Sequence, residues 1–378
     1  MSTKVVVHVG TRKSGTSYVQ KVLRDSAPQL AAQGVDLTYK RWIGHRERQL
    51  APLRHMAETG DDAGARENVA WMVERFSSMP EITHVLTLED LAELPPQVAD
   101  LYMGGLAQFD LHLVVTARHW GVVLPSEWQQ NVKERYTGTY TDYLAAVRER
   151  RGPEAETFLA RQDLPSILTR WGHLLPPERV HVLVVPPRPA NKDLPLDMFC
   201  GLVGLDPAPL IKPRGTINDS LGQDQAEMLR RVNVALGDRL PDRDGDYAHG
   251  VREWLTRETL MRSSRSKVLL PPDYVAWCRE ESMRQRDAAA AYHVVGDVAD
   301  LVVPEDLPTA DPEVGDAAVA QQAVATLADL AVVHHRDAVV TQEQLRALRA
   351  ERDELAARAA APAGLDLARR AARRLLRR

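Results

Sequence analysis

The stretch KVVVHVGTRKSGTSYVQKVLR, residues 4–24, decides the fold of this chain. Its valine-rich start, Lys4 to Val9, predicts a strand buried on both faces, because the apolar run shows no alternation with polar residues. Gly10 to Ser17 is a polar loop containing two glycines, and a helical pattern begins at Tyr18. Loop N–H groups and the positive end of a helix dipole together bind anions, most often phosphate. The stretch therefore predicts a phosphate site.

The loop differs from a Walker A loop in the position of its lysine. Gly10 and Gly15 have the Walker A spacing, G-x-x-x-x-G-K-[ST], but Thr16 and Ser17 follow where lysine and Ser or Thr should stand. The lysine, Lys13, lies inside the loop instead. Its displacement counts against a P-loop kinase or NTPase, which we keep as an alternative. A plain turn between a strand and a helix is the other alternative, because short motifs give false positives.

Composition limits the class of protein. The chain has 378 residues, 44% of them apolar, and a formal net charge of −4, which gives no general attraction to nucleic acid. Cys200 and Cys278 have no metal-site spacing and suit a reducing compartment. We see no signal peptide and no uninterrupted apolar run of about 20 residues. These features predict a cytoplasmic protein, and the arginine- and alanine-rich composition is typical of GC-rich bacterial genomes.

Three further apolar runs predict core strands. They are Thr83 to Leu88, Leu111 to Ala117 and Val180 to Val185. Helical patterns separate all four predicted strands, so we expect an α/β fold: a parallel sheet of at least four strands with helices on both faces.

Polar residues follow two of these strands. Glu89 comes after the second strand, and Arg118 closes the third, with Ser126 eight residues later in the next helix. Ligands of open parallel sheets gather beyond the carboxyl ends of the strands. The planar, permanently charged fork of arginine matches phosphate oxygens, and serine adds a neutral donor. Each residue also has an ordinary explanation: Glu89 as a helix cap, Arg118 and Ser126 as surface residues.

The order Lys13-Ser14-Gly15-Thr16-Ser17 resembles the 5′-phosphosulfate loop of sulfotransferases that use 3′-phosphoadenosine-5′-phosphosulfate (PAPS), with Arg12 in place of the usual proline. The pair Arg118 and Ser126 resembles the family's second signature, which grips the 3′-phosphate. The resemblance implies a P-loop-like sulfotransferase fold, no metal, and sulfuryl transfer from PAPS to a hydroxyl or amine of a carbohydrate, glycolipid or small molecule. It implies these donor-binding residues: Arg12, Lys13, Ser14, Gly15, Thr16, Ser17, Arg118, Ser126 and Arg214.

The resemblance also implies a general base and a third basic segment. Lys13 would neutralise charge on the departing phosphate, and Glu89 is our first choice as base. His119 is the second choice and Glu127 a weaker third. A basic loop in the last third of the family's chains reaches the 3′-phosphate, so Lys212 and Arg214 are candidates here; a solvated turn is the alternative.

The C-terminal part differs in composition from the rest. We predict a sulfotransferase domain at 1–305, then a proline- and acid-rich linker followed by amphipathic helices and a basic tail at 306–378. Residues 317–378 suit a peripheral membrane surface at the inner face of the cell membrane, a helical partner or self-association. For the basic end, 365–378, a frayed solvated tail is the favoured alternative. A non-catalytic docking protein with this extension as its interaction arm is the remaining alternative.

Overall fold

The computed structural model describes residues 2–39, 44–187, 191–213, 220–240, 245–262 and 267–360. The strands are β1 Lys4–His8, β2 Val35–Leu37, β3 Thr83–Thr87, β4 Asp110–Ala117, β5 Val180–Val184 and β6 His293–Val295. The α-helices are α1 Thr16–Asp25, α2 Ala27–Ala32, α3 Ala51–Thr59, α4 Ala63–Ser77, α5 Pro96–Gly105, α6 Trp120–Lys133, α7 Tyr140–Glu149, α8 Gly152–Gln162, α9 Leu164–Gly172, α10 Leu194–Val203, α11 Gln223–Leu236, α12 Pro272–Ala289 and α13 Asp316–Ala360.

Within the described residues, the strands form one six-stranded sheet in the order β2-β3-β1-β4-β5-β6. Every pair in it is parallel. β1 is central, with Val7 opposite Leu86 of β3 and Leu113 of β4. The carboxyl ends of β3, β1 and β4 therefore lie side by side, and each continues into a segment that the sequence analysis selected.

The sheet is buried on both faces, as the unbroken valine run of β1 predicts. Val5 and Val7 pack into one core, with residues of α3, α4, α5 and α9. Val6 packs into a second core on the other face, with residues of α1 and α10. A third core joins α6, α7, α8, α11 and α12 beside the sheet. The α/β class with helices on both faces is confirmed.

The four predicted core strands are present within about one residue of their expected ends. Two details differ. The pattern that begins at Tyr18 predicted one helix to about Ala32, but the first helix ends at Asp25. The second, α2, begins at Ala27, because Pro28 in its first turn has no N–H to continue the ladder. Sequence analysis also missed the short edge strand β6, which pairs with β5 through His293 and His181.

The C-terminal extension is largely one helix. α13 packs its first half against α11, burying Val319, Thr326 and Val333, while Val324 and Leu327 on its other side are exposed. By length and composition alone, α13 could cross a membrane; little of its apolar segment is buried. Before it, the predicted linker contacts the domain, with Thr309 bridging to Leu270. The predicted basic tail at 365–378 lies outside the described residues.

Candidate functional site

The loop between β1 and α1 folds tightly onto the start of the helix. A side chain at Gly10 would place its Cβ 2.1 Å from Cγ2 of Thr16, so glycine is required there. Gly15 precedes α1 with a φ of 89°, and Lys13 has a φ of 64°. That left-handed conformation costs a non-glycine residue about 1 kcal/mol, and such strain is typical of ligand sites. Loops of this kind direct N–H groups into an anion-binding concavity.

The two serines of the loop lie in different environments. Ser14 is buried, and its hydroxyl donates to the carbonyl oxygen of Thr11 at 2.6 Å, which holds the turn together. Ser17 is half-buried in the first turn of α1. Ser14 thus supports the loop's shape, while Ser17 is placed where a phosphate at the helix N-terminus would lie.

Side chains from neighbouring strand ends meet the loop. Thr16 donates a hydrogen bond from its hydroxyl to the Glu89 carboxylate, so the structure brings Glu89 to the loop. The Lys13 ammonium donates to Oε1 of Gln130 on α6 at 3.1 Å. Burial lowers the pKa of Lys13, and the charge of Glu127 opposes that shift. The Lys13 ammonium is therefore held against α6.

A buried carboxylate lies behind the loop. Glu127 on α6 is 2% exposed, and burial raises its pKa, against the charges of Arg12 and Lys13. Gln162 at the end of α8 donates to the backbone oxygen of Arg12 at 2.9 Å and lies 3.4 Å from Oε1 of Glu127. The Arg12 guanidinium pairs with Glu134 at 3.2 Å. Arg12, expected to bind the donor, thus also anchors the loop to α6 and α8.

Arg118, at the end of β4, lines a pocket of about 740 Å³. One Nη donates to the carbonyl oxygen of Pro187 at 2.7 Å. Its Nε is buried without a hydrogen-bond partner among the described residues. Ser126 lines the same pocket. Arg118 and Ser126 therefore line one pocket, as predicted, and Nε of Arg118 has a free hydrogen-bond donor among the described residues.

The pocket walls come from several elements. α6 contributes one face, including Gln129, and Pro186–Pro187 after β5 contributes another. Lys267–Leu269, before α12, and parts of residues 300–308 complete it. Its volume lies within the usual range for small-molecule sites. Lys267 is a pocket cation that sequence analysis missed; the only available signal was the scarcity of lysines, eight of 48 basic residues.

The predicted third basic segment is only partly described. Lys212 donates to Asp193 at 3.1 Å, and Asp193 in turn accepts from the hydroxyl of Tyr18. Lys212 is not among the residues lining the Arg118 pocket. Arg214 lies outside the described residues, so its predicted role stays a prediction.

His119 caps the start of α6 and is 1% exposed. Burial, helped by the charge of Arg118, lowers its pKa to about 4, so the imidazole is neutral at pH 7. Neither ring nitrogen has a hydrogen-bond partner in the part of the chain that is described. The structure places it beside Arg118, whereas Glu89 contacts the loop. Of the two predicted bases, Glu89 is therefore the one that contacts the loop.

One helix connects the two predicted anion sites. Ser126 lines the Arg118 pocket, and Gln130, one turn later on α6, contacts Lys13. Four residues of helix span about 6 Å. The strands are neighbours too: the N–H of Thr11 in the loop donates to the carbonyl oxygen of Thr116 in β4 at 3.0 Å. The two predicted anion sites therefore lie at adjacent strand ends.

The solved structures that are similar to this chain include a sulfotransferase domain. It is the sulfotransferase domain from the curacin biosynthetic pathway, 12% identical, with a TM-score of 0.32, covering 57% of this chain and 79% of its own. No family model matches the chain, and no curated protein matches it. At that TM-score the similarity carries no functional argument, so function is argued from the site.

Proposed function

We propose that this protein is a sulfotransferase that moves a sulfuryl group from PAPS to a hydroxyl or amine. The proposal is supported by the placement of the two predicted anion sites at adjacent strand ends, where Ser126 and Gln130 of α6 reach one site each. A nucleotide with separate 5′ and 3′ phosphates needs two such sites. The phosphates of ATP form one chain and need a single extended site.

The donor's two phosphates would bind to different elements. Loop N–H groups and the hydroxyls of Thr16 and Ser17 would hold the 5′-phosphate at the N-terminus of α1. Arg118, Ser126 and Lys267 would hold the 3′-phosphate. The fit is supported by the buried Nε–H of Arg118, which lacks a partner among the described residues and which a phosphate oxygen would satisfy.

The transfer itself needs a base and charge neutralisation. The acceptor's oxygen or nitrogen attacks sulfur, and the bond between sulfur and the bridging oxygen of the 5′-phosphate breaks, leaving adenosine 3′,5′-bisphosphate. Lys13 would neutralise the charge that develops on that leaving oxygen. Glu89 would take the acceptor's proton. In the structure the Thr16 hydroxyl donates to the Glu89 carboxylate. If that hydroxyl donated to the 5′-phosphate instead, the carboxylate would be free to take the acceptor's proton.

The acceptor class and the cellular setting belong to the same proposal. We expect a carbohydrate, glycolipid or small-molecule acceptor and no nucleic acid, since the chain has no net positive charge. A cytoplasmic setting agrees with Cys200 and Cys278, both buried and unpaired. A membrane surface or second chain at α13 stays a prediction.

Two measurements test the proposal. Adenosine 3′,5′-bisphosphate should raise the melting temperature without magnesium, and ATP with magnesium should not. Incubation with labelled PAPS and a panel of acceptors, read by mass spectrometry, should give a product heavier by one sulfuryl group. A shift with ATP–Mg²⁺ alone would favour a P-loop kinase or NTPase. Nucleotide binding without transfer to any acceptor would favour a non-catalytic docking protein.

A further inference from the structure

The Arg118 pocket has a wall from the chain just before α13. This C-terminal wall, residues 300–308, contributes Asp300, Pro304, Asp306, Leu307 and Pro308 to the lining. Composition placed the end of this stretch, from residue 306, in a predicted linker. The pocket would be open on this side without it.

The C-terminal wall contacts the domain at two points. Within it, Nε of Arg279 on α12 donates to the carbonyl oxygen of Val303 at 3.3 Å. Just beyond it, the N–H of Ala310 donates to the carbonyl oxygen of Leu270 at 3.4 Å, beside the bridge from Leu270 to Thr309. These contacts fix the wall in place, which a site for a specific ligand requires.

Leu307 packs against the first turn of α6. A Cβ added to Gly121 would lie 2.9 Å from Cδ2 of Leu307, so the two segments are in close contact. Val122 and Pro125 line the pocket beside them. The pocket therefore has an apolar section at this end, next to the cation Arg118.

The charges of the lining divide by element. The cations, Arg118 and Lys267, come from the end of β4 and the segment before α12, whereas the carboxylates, Asp300 and Asp306, both belong to the C-terminal wall. A carboxylate only accepts hydrogen bonds and repels phosphate. Asp300 is half-buried, and burial, together with the nearby charge of Asp297, raises its pKa. A ligand that fills the pocket must therefore bring a donor to the wall and an anion to the cations.

We propose that Asp300 accepts a hydrogen bond from the exocyclic amine of the nucleotide's base while Leu307 packs against the ring, so that the C-terminal wall selects adenine. The inference rests on the proposed function, which places a nucleotide 3′-phosphate on Arg118. It adds that base recognition comes from the segment joining the domain to α13.

Replacing adenine by unsubstituted purine tests this directly. Purine riboside 3′,5′-bisphosphate has a C–H in place of the amine and no proton on N1, so its ring offers the carboxylate no N–H donor at this edge. Calorimetric titration of the full-length protein should show at least about tenfold tighter binding of the adenosine compound, the usual effect of a hydrogen bond to a charged group. Asp300→Ala should bring the ratio close to one. Asp306→Ala removes an exposed carboxylate from the same wall and should keep the ratio.

The outcomes separate the inference from the proposed function. If the wild-type protein binds neither bisphosphate, both fail. If it binds the two equally, or if Asp300→Ala keeps the tenfold ratio, base selection by Asp300 is wrong while the proposed function stands. The wild-type comparison requires no variant, so poor folding of Asp300→Ala would still leave a decisive result.

Discussion

Replacing Arg118 by alanine should weaken binding of a nucleotide's 3′-phosphate and leave the rest of the ligand's affinity intact. The guanidinium has five N–H donors; one Nη bonds to Pro187, and the buried Nε lacks a partner within the described residues. A hydrogen bond to a charged group contributes about 1.5–3 kcal/mol. One such bond from Nε therefore predicts a roughly 10- to 150-fold loss of affinity for adenosine 3′,5′-bisphosphate.

The assay compares two ligands. Isothermal titration of wild-type and Arg118→Ala protein with adenosine 3′,5′-bisphosphate and with adenosine 5′-monophosphate isolates the 3′-phosphate term, because the second ligand lacks that group. Arg170 supplies a matched control: it is another arginine whose buried Nε lacks a partner in the described chain, and it lines a different pocket. Arg170→Ala should reduce stability without changing the difference between the ligands.

Two results would refute this reasoning. Arg118→Ala could weaken both ligands by the same factor, which would mean that the arginine supports the pocket's shape or contacts the 5′ end. Alternatively, Arg170→Ala could reproduce the selective loss, which would make the effect a general consequence of losing a buried arginine. Circular dichroism spectra of both variants should match the wild type before the affinities are compared.

Three further predictions concern chemistry and stability. Lys13→Ala should lower kcat with PAPS about 100-fold or more while changing the bisphosphate Kd less than tenfold, since the role proposed for Lys13 is to neutralise the developing charge. The opposite pattern in steady-state kinetics and titration would contradict this role. Glu89→Gln should lower kcat by about 10²- to 10⁴-fold without loss of bisphosphate affinity, and equal loss in Glu127→Gln would remove the case for Glu89 as the base. The free energy of unfolding should fall as the pH drops from about 6.5 towards 4. The buried imidazoles of His8, His119 and His181 have pKa values lowered to about 4, so the unfolded chain binds protons that the native state excludes. Free energies from urea titrations at pH 7 and 5 should differ by up to about 1.4 kcal/mol per pH unit per histidine, and an unchanged midpoint would contradict the prediction.

Sequence patterns predicted the elements whose structure depends mainly on neighbouring residues in the chain. The valine-rich strands and the glycine-bounded loop could be predicted because burial on both faces and left-handed turns leave direct marks in the sequence. β6 could not, since His293–Val295 is short, only partly buried and depends on pairing with β5. The site residues meet in space as their positions at strand ends suggested, and their chemical roles stay predictions.

Long-range contacts account for what sequence analysis missed. Nothing near Lys267 indicates that it lies across a pocket from Ser126, about 140 residues earlier in the chain. The stretch around Leu307 has the proline and acid content of a linker, and only its packing against Gly121 shows that it lines a site. Gln162 was missed for the same reason. Its hydrogen bond to the backbone oxygen of Arg12 depends on how α8 packs, which the sequence around Gln162 does not indicate.

The position of α6 has a consequence for ligand geometry. An α-helix is stiff along its axis, so the spacing between Ser126 and Gln130 cannot adjust to different molecules. Moving the second phosphate by one ribose carbon, from the 3′ to the 2′ oxygen, would keep both charges yet miss one of the two contacts. The fixed spacing along α6 would therefore make the protein bind the 3′,5′-bisphosphate more tightly than the 2′,5′ isomer of equal charge.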